Sequence, residues 1–551
     1  MVTVILKGWE LLRKYILTIP RFDLFLQGAL LIVVFLESNA FLLLRRNDRS
    51  GFIPTINEDW IKLGIGGVEF LLGALLAWQG RLWRHITLSL WLGATAVSGL
   101  IILAFPFPEA NRPTVELCNG GSISLYVEEV DTHATARGVL IVVTLVFCAL
   151  TKISIWAHGI TYLDDHQPEN GPYFYGILIS IRLSLGLSGS NWLRSSSVQQ
   201  NWWEAHISLS MLTLMFSILF TLFPRQMPDY KEVDIPERTC MLEPLGRVLR
   251  NKPLMLQCLS LSLLSTAIFG FINYDTAFLQ TKFHVETIRQ DLRTSRVITD
   301  IFRSLVIIFF VSVFRMRFSV RRSNGVKATT AGKVGGVTAV FVAIFFSVLA
   351  GLSCSTGNMA GLDHEYQQPA CSLECGCKSE SYGFSPVCGL DTQLTYFSPC
   401  HAGCQDYEDL NDFLLLQNCT CGDTRAVRGD CNLPSCALLY NIYLVFFSVM
   451  LAVGASSLLM QGMAILRSTR RNDKPLAVGV SLSIVGLVSH VLGHLLYMLI
   501  SDLTCAYKRD GVCIFHRTTV WIAPVTSVAL CLSSAVLSIA ASRGHVETVI
   551  S

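Results

Sequence analysis

Long apolar runs separated by short polar links make up most of this chain, and twelve of the runs can cross a bilayer as helices. They lie near residues 24–44, 62–79, 86–106, 138–161, 173–190, 204–224, 254–273, 297–314, 334–353, 437–463, 475–500 and 519–541. A hydrocarbon core ~30 Å thick needs roughly 20 residues of helix. The eighth run is the least regular, with Asp300 and Arg303 near its start. A polar, basic link at 225–253 parts the sixth run from the seventh, so the chain reads as two bundles of six helices. Such halves suit rocking about a midplane site.

Composition fits an all-α membrane protein. The chain is 52% hydrophobic and 15% charged, with mean hydropathy +0.49, whereas a soluble domain carries about 25% charged residues. A net charge of +3 over 551 residues gives no reason to expect a nucleic-acid partner. No GxxxxGK[ST] loop occurs, which speaks against ATP as an energy source. Lys7, Arg13, Lys14 and Arg21 precede the first run without a small-residue cleavage site. Residues 1–23 are therefore expected to be a cytosolic tail before an uncleaved helix.

Orientation follows from the basic links. Segments 225–252, 315–333 and 466–474 hold six, six and four Lys/Arg. The loop 354–436 holds three, Lys378, Arg425 and Arg428, against eleven Asp/Glu. Cytosolic loops carry the excess of Lys/Arg, so both termini are expected in the cytosol and this loop outside. It carries eleven of the eighteen cysteines, a density that belongs to an oxidising compartment. It also holds the sole N-glycosylation sequon, Asn418-Cys419-Thr420. Cys505 and Cys513 bracket a second outer loop and are expected to pair. With Cys118 the outer cysteines number fourteen, enough for full pairing with one bridge between loops.

Residues 386–404 read PVCGLDTQLTYFSPCHAGC, with loop cysteines at 371, 377, 388, 400, 404 and 419 and Tyr396 ahead of the fourth. This pattern resembles a Kazal-type domain. Such a module after the ninth of twelve helices resembles the organic anion transporting polypeptide family, within the major facilitator fold. TYLDDHQPENGPYFYGIL (161–178) is similar to that family's link between helices four and five, and KPLAVGV…LLYMLISDLTC (474–505) to the end of its helix eleven. Of the signature D-x-R-W-(V/I)-G-A-W-W before helix six, Trp202 and Trp203 remain. Family members carry arginines in helices four and eleven, both associated with anion binding; the matching positions here are Cys148 and Gly486.

The resemblance implies disulfides Cys371–Cys404, Cys377–Cys400 and Cys388–Cys419, with Cys354, Cys375, Cys421, Cys431 and Cys436 left for further staples. It divides the chain into a tail (1–23), a six-helix bundle (24–224), a cytosolic loop (225–253), helices seven to nine (254–353), an extracellular Kazal-like domain (354–436), helices ten to twelve (437–541) and a cytosolic tail (542–551).

Charges inside the membrane are functional candidates because each costs ~2.5–3.5 kcal/mol to insert. Lys152 lies mid-helix four, one turn after Cys148, and Arg182 lies mid-helix five. Either suits an anionic head group. The alternative is an internal ion pair with Glu37 of helix one or Glu69 of helix two. His490 and His494 share a face of helix eleven at i, i+4. They lack the third ligand a metal needs, so lining a polar pathway, relaying a proton or packing is expected of them. Asp164 and Asp165 end helix four on the cytosolic side, opposite Arg81 and Arg84 after helix two. This set forms a candidate gate, with two solvated loops as the alternative.

The resemblance implies a plasma-membrane secondary transporter of amphipathic organic anions such as steroid conjugates and eicosanoids, working without sodium or ATP. Exchange for an internal anion such as bicarbonate would fit. No nucleophile–base set points to an enzyme, and no cofactor is expected. The rivals are a member with lost transport that acts through its outer domain, and a carrier of neutral or cationic amphipaths.

Overall fold

The computed structural model describes residues 17–48, 58–107, 116–118, 133–186, 202–225, 227, 240–283, 293–319, 326–354, 359–362, 366–377, 384–410, 413–422, 424–429, 431, 434–509 and 512–550. A long helix stands at each of the twelve apolar runs. They are α1 (Ile19–Asp48), α2 (Glu58–Gln79), α3 (Arg84–Ile102), α4 (Ala134–Ser154, continued to His166), α5 (Gly171–Ile181, continued to Gly186) and α6 (Trp202–Thr221). After them come α7 (Lys252–Phe283), α8 (Arg293–Ser319), α9 (Ala328–Gly351), α10 (Pro434–Arg467), α11 (Lys474–Val485, continued to Leu503) and α12 (Ile522–Ile550).

Ten of these are long and apolar enough to span a membrane, while α5 and α8 contribute shorter apolar stretches, Phe174–Ser184 and Ile301–Val313. The weakness of the eighth run in the sequence is thus a property of the helix itself. Several helices outrun their apolar cores. Residues 542–550, expected as a tail, continue α12, and α1 starts at Ile19 rather than 24. Most of the expected N-terminal tail lies outside the described residues. The basic link carries a short helix, Leu242–Arg250, whose Arg247 holds Asp473 ahead of α11 through two hydrogen bonds of 3.1 and 3.2 Å.

Within the first half α3 packs on α4 and α6, and α1 on α4; within the second α12 packs on α7 and α9, and α9 on α10. The halves meet where α2 lies along α11 and where α5 lies against α8 and α10. Small residues let α2 and α11 close in, since lipid offers no hydrophobic drive and helices associate by close packing. At Gly479 an added Cβ would stand 2.3 Å from the Cβ of Ala77. The Ser483 hydroxyl accepts from the amide of Ala74 at 3.0 Å.

Between α9 and α10 lies a small disulfide-rich insert built on a five-stranded antiparallel sheet, order β2-β1-β5-β4-β3. Its strands are β1 (Val387–Gly389), β2 (Thr395–Tyr396), β3 (Asp406–Leu410), β4 (Phe413–Gln417) and β5 (Arg425–Arg428). Two expected bridges are replaced. Cys404 pairs with Cys419 instead of Cys371, and Cys388 pairs with Cys431 instead of Cys419. Register explains both. β3 faces β4 with Asp406 opposite Gln417, so Cys404 and Cys419 meet just beyond the hairpin's open end. Cys388 sits opposite Thr395 on β2, whose hydroxyl accepts from the amide of Cys431 at 3.0 Å.

Cys371 then takes Cys421, while Cys377–Cys400 and Cys505–Cys513 are joined. The nested order first–fifth, second–fourth, third–sixth is kept, but with Cys421 and Cys431 as its last two members. Cys354–Cys436 closes the base of the insert, and Cys118–Cys375 ties it to the segment between α3 and α4. That segment also enters the insert's core through Leu117, and the amide of Cys118 donates to the carbonyl of Cys404 at 2.8 Å. On its other side the insert rests on a hairpin between α11 and α12, β6 (Cys505–Arg509) and β7 (Val512–His516). There Tyr366, Phe384 and Phe397 stack with Tyr507 and Phe515. Burial depresses the His401 imidazole of this seam to about 4, so it packs as a neutral ring.

Candidate functional site

Most of the candidate charges fall into two clusters. In the first, Lys152 of α4 reaches Glu37 of α1 at 2.6 Å and Glu69 of α2 at 3.7 Å. Glu69 in turn is hydrogen-bonded to Nδ1 of His490 on α11, across the junction of the two halves. Arg182 of α5 sets its guanidinium 4.8 Å from the ring centroid of Phe269 on α7, and its charge also acts on Glu69 and Lys152. Lys152 is nearly dry, whereas His490 keeps 27% and Glu37 18% of their side-chain surface. The cluster therefore spans both halves and is only partly sealed.

Backbone geometry marks the same residues. α4 widens into a π-helical turn, Ile155–Gly159, that starts three residues after Lys152. Arg182 opens a second such turn, Arg182–Gly186. A third, Gly486–Gly493, carries His490. π-Turns are rare and gather at functional sites, since they re-aim side chains at the expense of regular hydrogen bonding. Nothing in the apolar periodicity announces them.

Gly486 marks a close approach of α11 to α2. A Cβ there would stand 2.8 Å from the backbone nitrogen of Phe70 and 3.0 Å from the Cβ of Glu69. The bare backbone allows α2 to lie against α11, and this approach delivers Glu69 to His490. Cys148 is buried one turn before Lys152. His494 is separate from the first cluster. Its Nε2 lies 3.5 Å from Asp59 of α2, so the two histidines meet different carboxylates and do not converge.

The second cluster lies at the end of α4 away from the insert. Asp165 accepts from Arg84 of α3 at 2.7 Å. Arg81 lies instead with its guanidinium 3.0 Å from the Trp78 ring centroid, and its charge faces Asp473. The main partners of the aspartates come from the other half. Arg467 of α10 grips Asp164 with two bonds, 2.8 and 3.1 Å, and donates to the carbonyl of Pro168 at 2.6 Å. Lys474, which opens α11, reaches Asp164 at 2.6 Å and Asp165 at 3.3 Å, and Arg471 approaches Asp165 at 3.6 Å. Sequence reading missed these three cations because they were counted only as signals of orientation. The Asp164 and Asp165 side chains are almost fully buried, 1% and 3% exposed, which excludes the reading as solvated loops.

Comparison with known proteins agrees with this architecture. The model of the Organic Anion Transporter Polypeptide (OATP) family matches residues 108–522. The human solute carrier organic anion transporter family member 2B1 is 24% identical over 503 residues, covering 74% of this chain and 68% of its own length. Member 74D of Drosophila melanogaster is 22% identical over 417 residues, 68% of this chain and 49% of its own. Among solved structures, a bacterial homologue of iron transporter ferroportin in outward-facing state superposes with a TM-score of 0.52 at 12% identity. That match covers 95% of this chain and 100% of the other, and shows a shared fold. With its paired helical halves and a family match over most of its length, the chain belongs to the Organic Anion Transporter Polypeptide family of membrane transporters.

Proposed function

We propose that the protein carries amphipathic organic anions across the plasma membrane by alternating access, independently of sodium and ATP. The carrying observation is the first cluster, where Lys152, Arg182 and His490, from three helices and both halves, converge on Glu69. A carboxylate arriving there meets the cations Lys152 and Arg182. An internal anion such as bicarbonate could occupy the same cations on the return step. The second cluster is the cytosolic gate, closed here by ion pairs that join α4 to α10 and α11. Uptake of a labelled anionic steroid conjugate in cells displaying the chain tests this reading. Saturable uptake that survives sodium replacement is expected. No uptake above control cells, with the protein at the surface, would overturn it.

This orientation puts the insert outside and both termini in the cytosol. Asn418 is exposed at the end of β4 with a left-handed φ of +53°, a backbone that asparagine tolerates. Asn418→Gln is expected to remove the whole glycosidase-sensitive mobility shift. A shift that persists would mean that the orientation or the site is wrong.

A further inference from the structure

The short helix Leu242–Arg250 in the basic link carries an apolar face that the described residues leave uncovered. Pro244 and Val248 turn inward and are buried. Leu242, Leu245 and Leu249, spaced at i, i+3 and i+7, share another face. Leu245 packs partly against the core, while Leu242 and Leu249 stay 75% and 49% exposed. Arg250 and Lys252 are exposed at the end of this helix, and Arg543 of α12 is exposed one residue before Gly544. Gly544 lies against Pro253, where an added Cβ would stand 3.2 Å from the ring, so the three cations share one level. A single residue, Asn251, parts the helix from α7, whose membrane span begins at Lys252. The leucines are therefore held at the depth of the bilayer surface.

The polar contacts of the same helix lead to the second cluster. Arg247 holds Asp473 through bonds of 3.1 and 3.2 Å, and Asp473 is the residue before Lys474. Asn251 donates to the carbonyl of Ser468 at 3.1 Å, and Ser468 is the residue after Arg467. Both cations that bind Asp164 from the other half are thus flanked by residues tied to this one helix and its exit.

Resting on the reading of that cluster as the cytosolic gate, we propose that the helix is a brace seated on the anionic lipid of the inner leaflet. Its leucines enter among the acyl chains, and Arg250, Lys252 and Arg543 take the acidic headgroups. The seat fixes Asp473 and Ser468, and so holds Lys474 and Arg467 on Asp164 in the closed gate. A helix with leucines on one side and cations beside them lies in the plane of the interface, and anionic lipid strengthens its hold. Charge complementarity names the occupant, and the one-residue link to α7 keeps the helix within its reach. Lipid that seats the brace therefore favours the state closed to the cytosol.

The full chain in nanodiscs of phosphatidylcholine, alone or with about 20% phosphatidylserine, tests both the seat and the brace. A nitroxide on Leu249→Cys, in a background lacking the free thiols Cys148, Cys240, Cys258 and Cys531, reports depth. With phosphatidylserine, oxygen, which concentrates in lipid, is expected to relax it at least threefold more than a water-soluble nickel chelate does. Stronger relaxation by the chelate would put the face in water and overturn the seat. Shielding from both would show that protein covers the face, and would overturn it as well. For the gate, labelling of the buried Cys258, with the other three free thiols replaced, is expected to slow at least threefold when phosphatidylserine is present. Arg250→Gln/Lys252→Gln should abolish that slowing, and slowing that persists would overturn the part given to these cations. Labelling indifferent to lipid, while Asp164→Ala raises it, would overturn the brace. Failure of Asp164→Ala to raise labelling would instead overturn the gate reading and the brace with it, while the nitroxide still decides the seat.

Discussion

Lys152→Ala is expected to abolish uptake of carboxylate-bearing substrates. The lysine is the least hydrated cation of the first cluster, held between Glu37 at 2.6 Å and Glu69 at 3.7 Å. Its removal takes away the charge that receives the substrate and also leaves Glu37 unpaired. Breaking a buried pair from one side costs about 3–5 kcal/mol, so surface abundance should fall as well. Lys152→Arg should keep part of the activity, because a cation remains within reach of both carboxylates. The double variant Lys152→Ala/Glu37→Gln distinguishes a receptor of substrate from a strut. It removes the stranded charge and should restore surface abundance without restoring uptake. If uptake returned together with abundance, the lysine would be a structural ion pair and the binding charge would have to be Arg182.

The helical frame was legible because each span must satisfy its own backbone in lipid, and this forces long apolar runs that composition alone reveals. The members of the first cluster were legible for a related reason: a charge in an apolar run is too costly to be incidental. Which charges meet was not. Glu37 and Glu69 were seen as alternatives for Lys152, and the fold uses both, because α1 and α2 flank α4 at the same depth. Arg467, Arg471 and Lys474 carry no such mark, since basic residues at a cytosolic helix end are expected of any membrane protein. Only the packing of α10 and α11 against the end of α4 makes them partners of Asp164 and Asp165. The disulfides failed for want of register. Spacing cannot tell Cys404 from Cys421 as the partner of Cys371, whereas the β3–β4 hairpin decides it at once.

Removing Asp164 is expected to open the gate. The carboxylate binds Arg467 through two bonds and Lys474 through a third, all across the junction of the halves. With Asp164→Ala, two cations are left facing a nearly dry site with only Asp165 nearby. A loss of about 3 kcal/mol in the closed state shifts its population more than a hundredfold. A native thiol reports the change. Cys258 lies six residues into α7, on the order of 9 Å from its start by helical rise. It is fully buried, so a thiol reagent reaches it only when the halves part on that side. In a background lacking the other free thiols, Cys148, Cys240 and Cys531, its labelling in inside-out vesicles should rise at least tenfold in Asp164→Ala. Uptake should fall, because a carrier held open inward seldom presents its site outward. The swap Asp164→Lys/Lys474→Asp rebuilds one of the three bonds and should return labelling part of the way. Additive effects of the two substitutions would show that the pair does not couple the halves, and the gate would have to rest on Asp165 and Arg84 within one half alone.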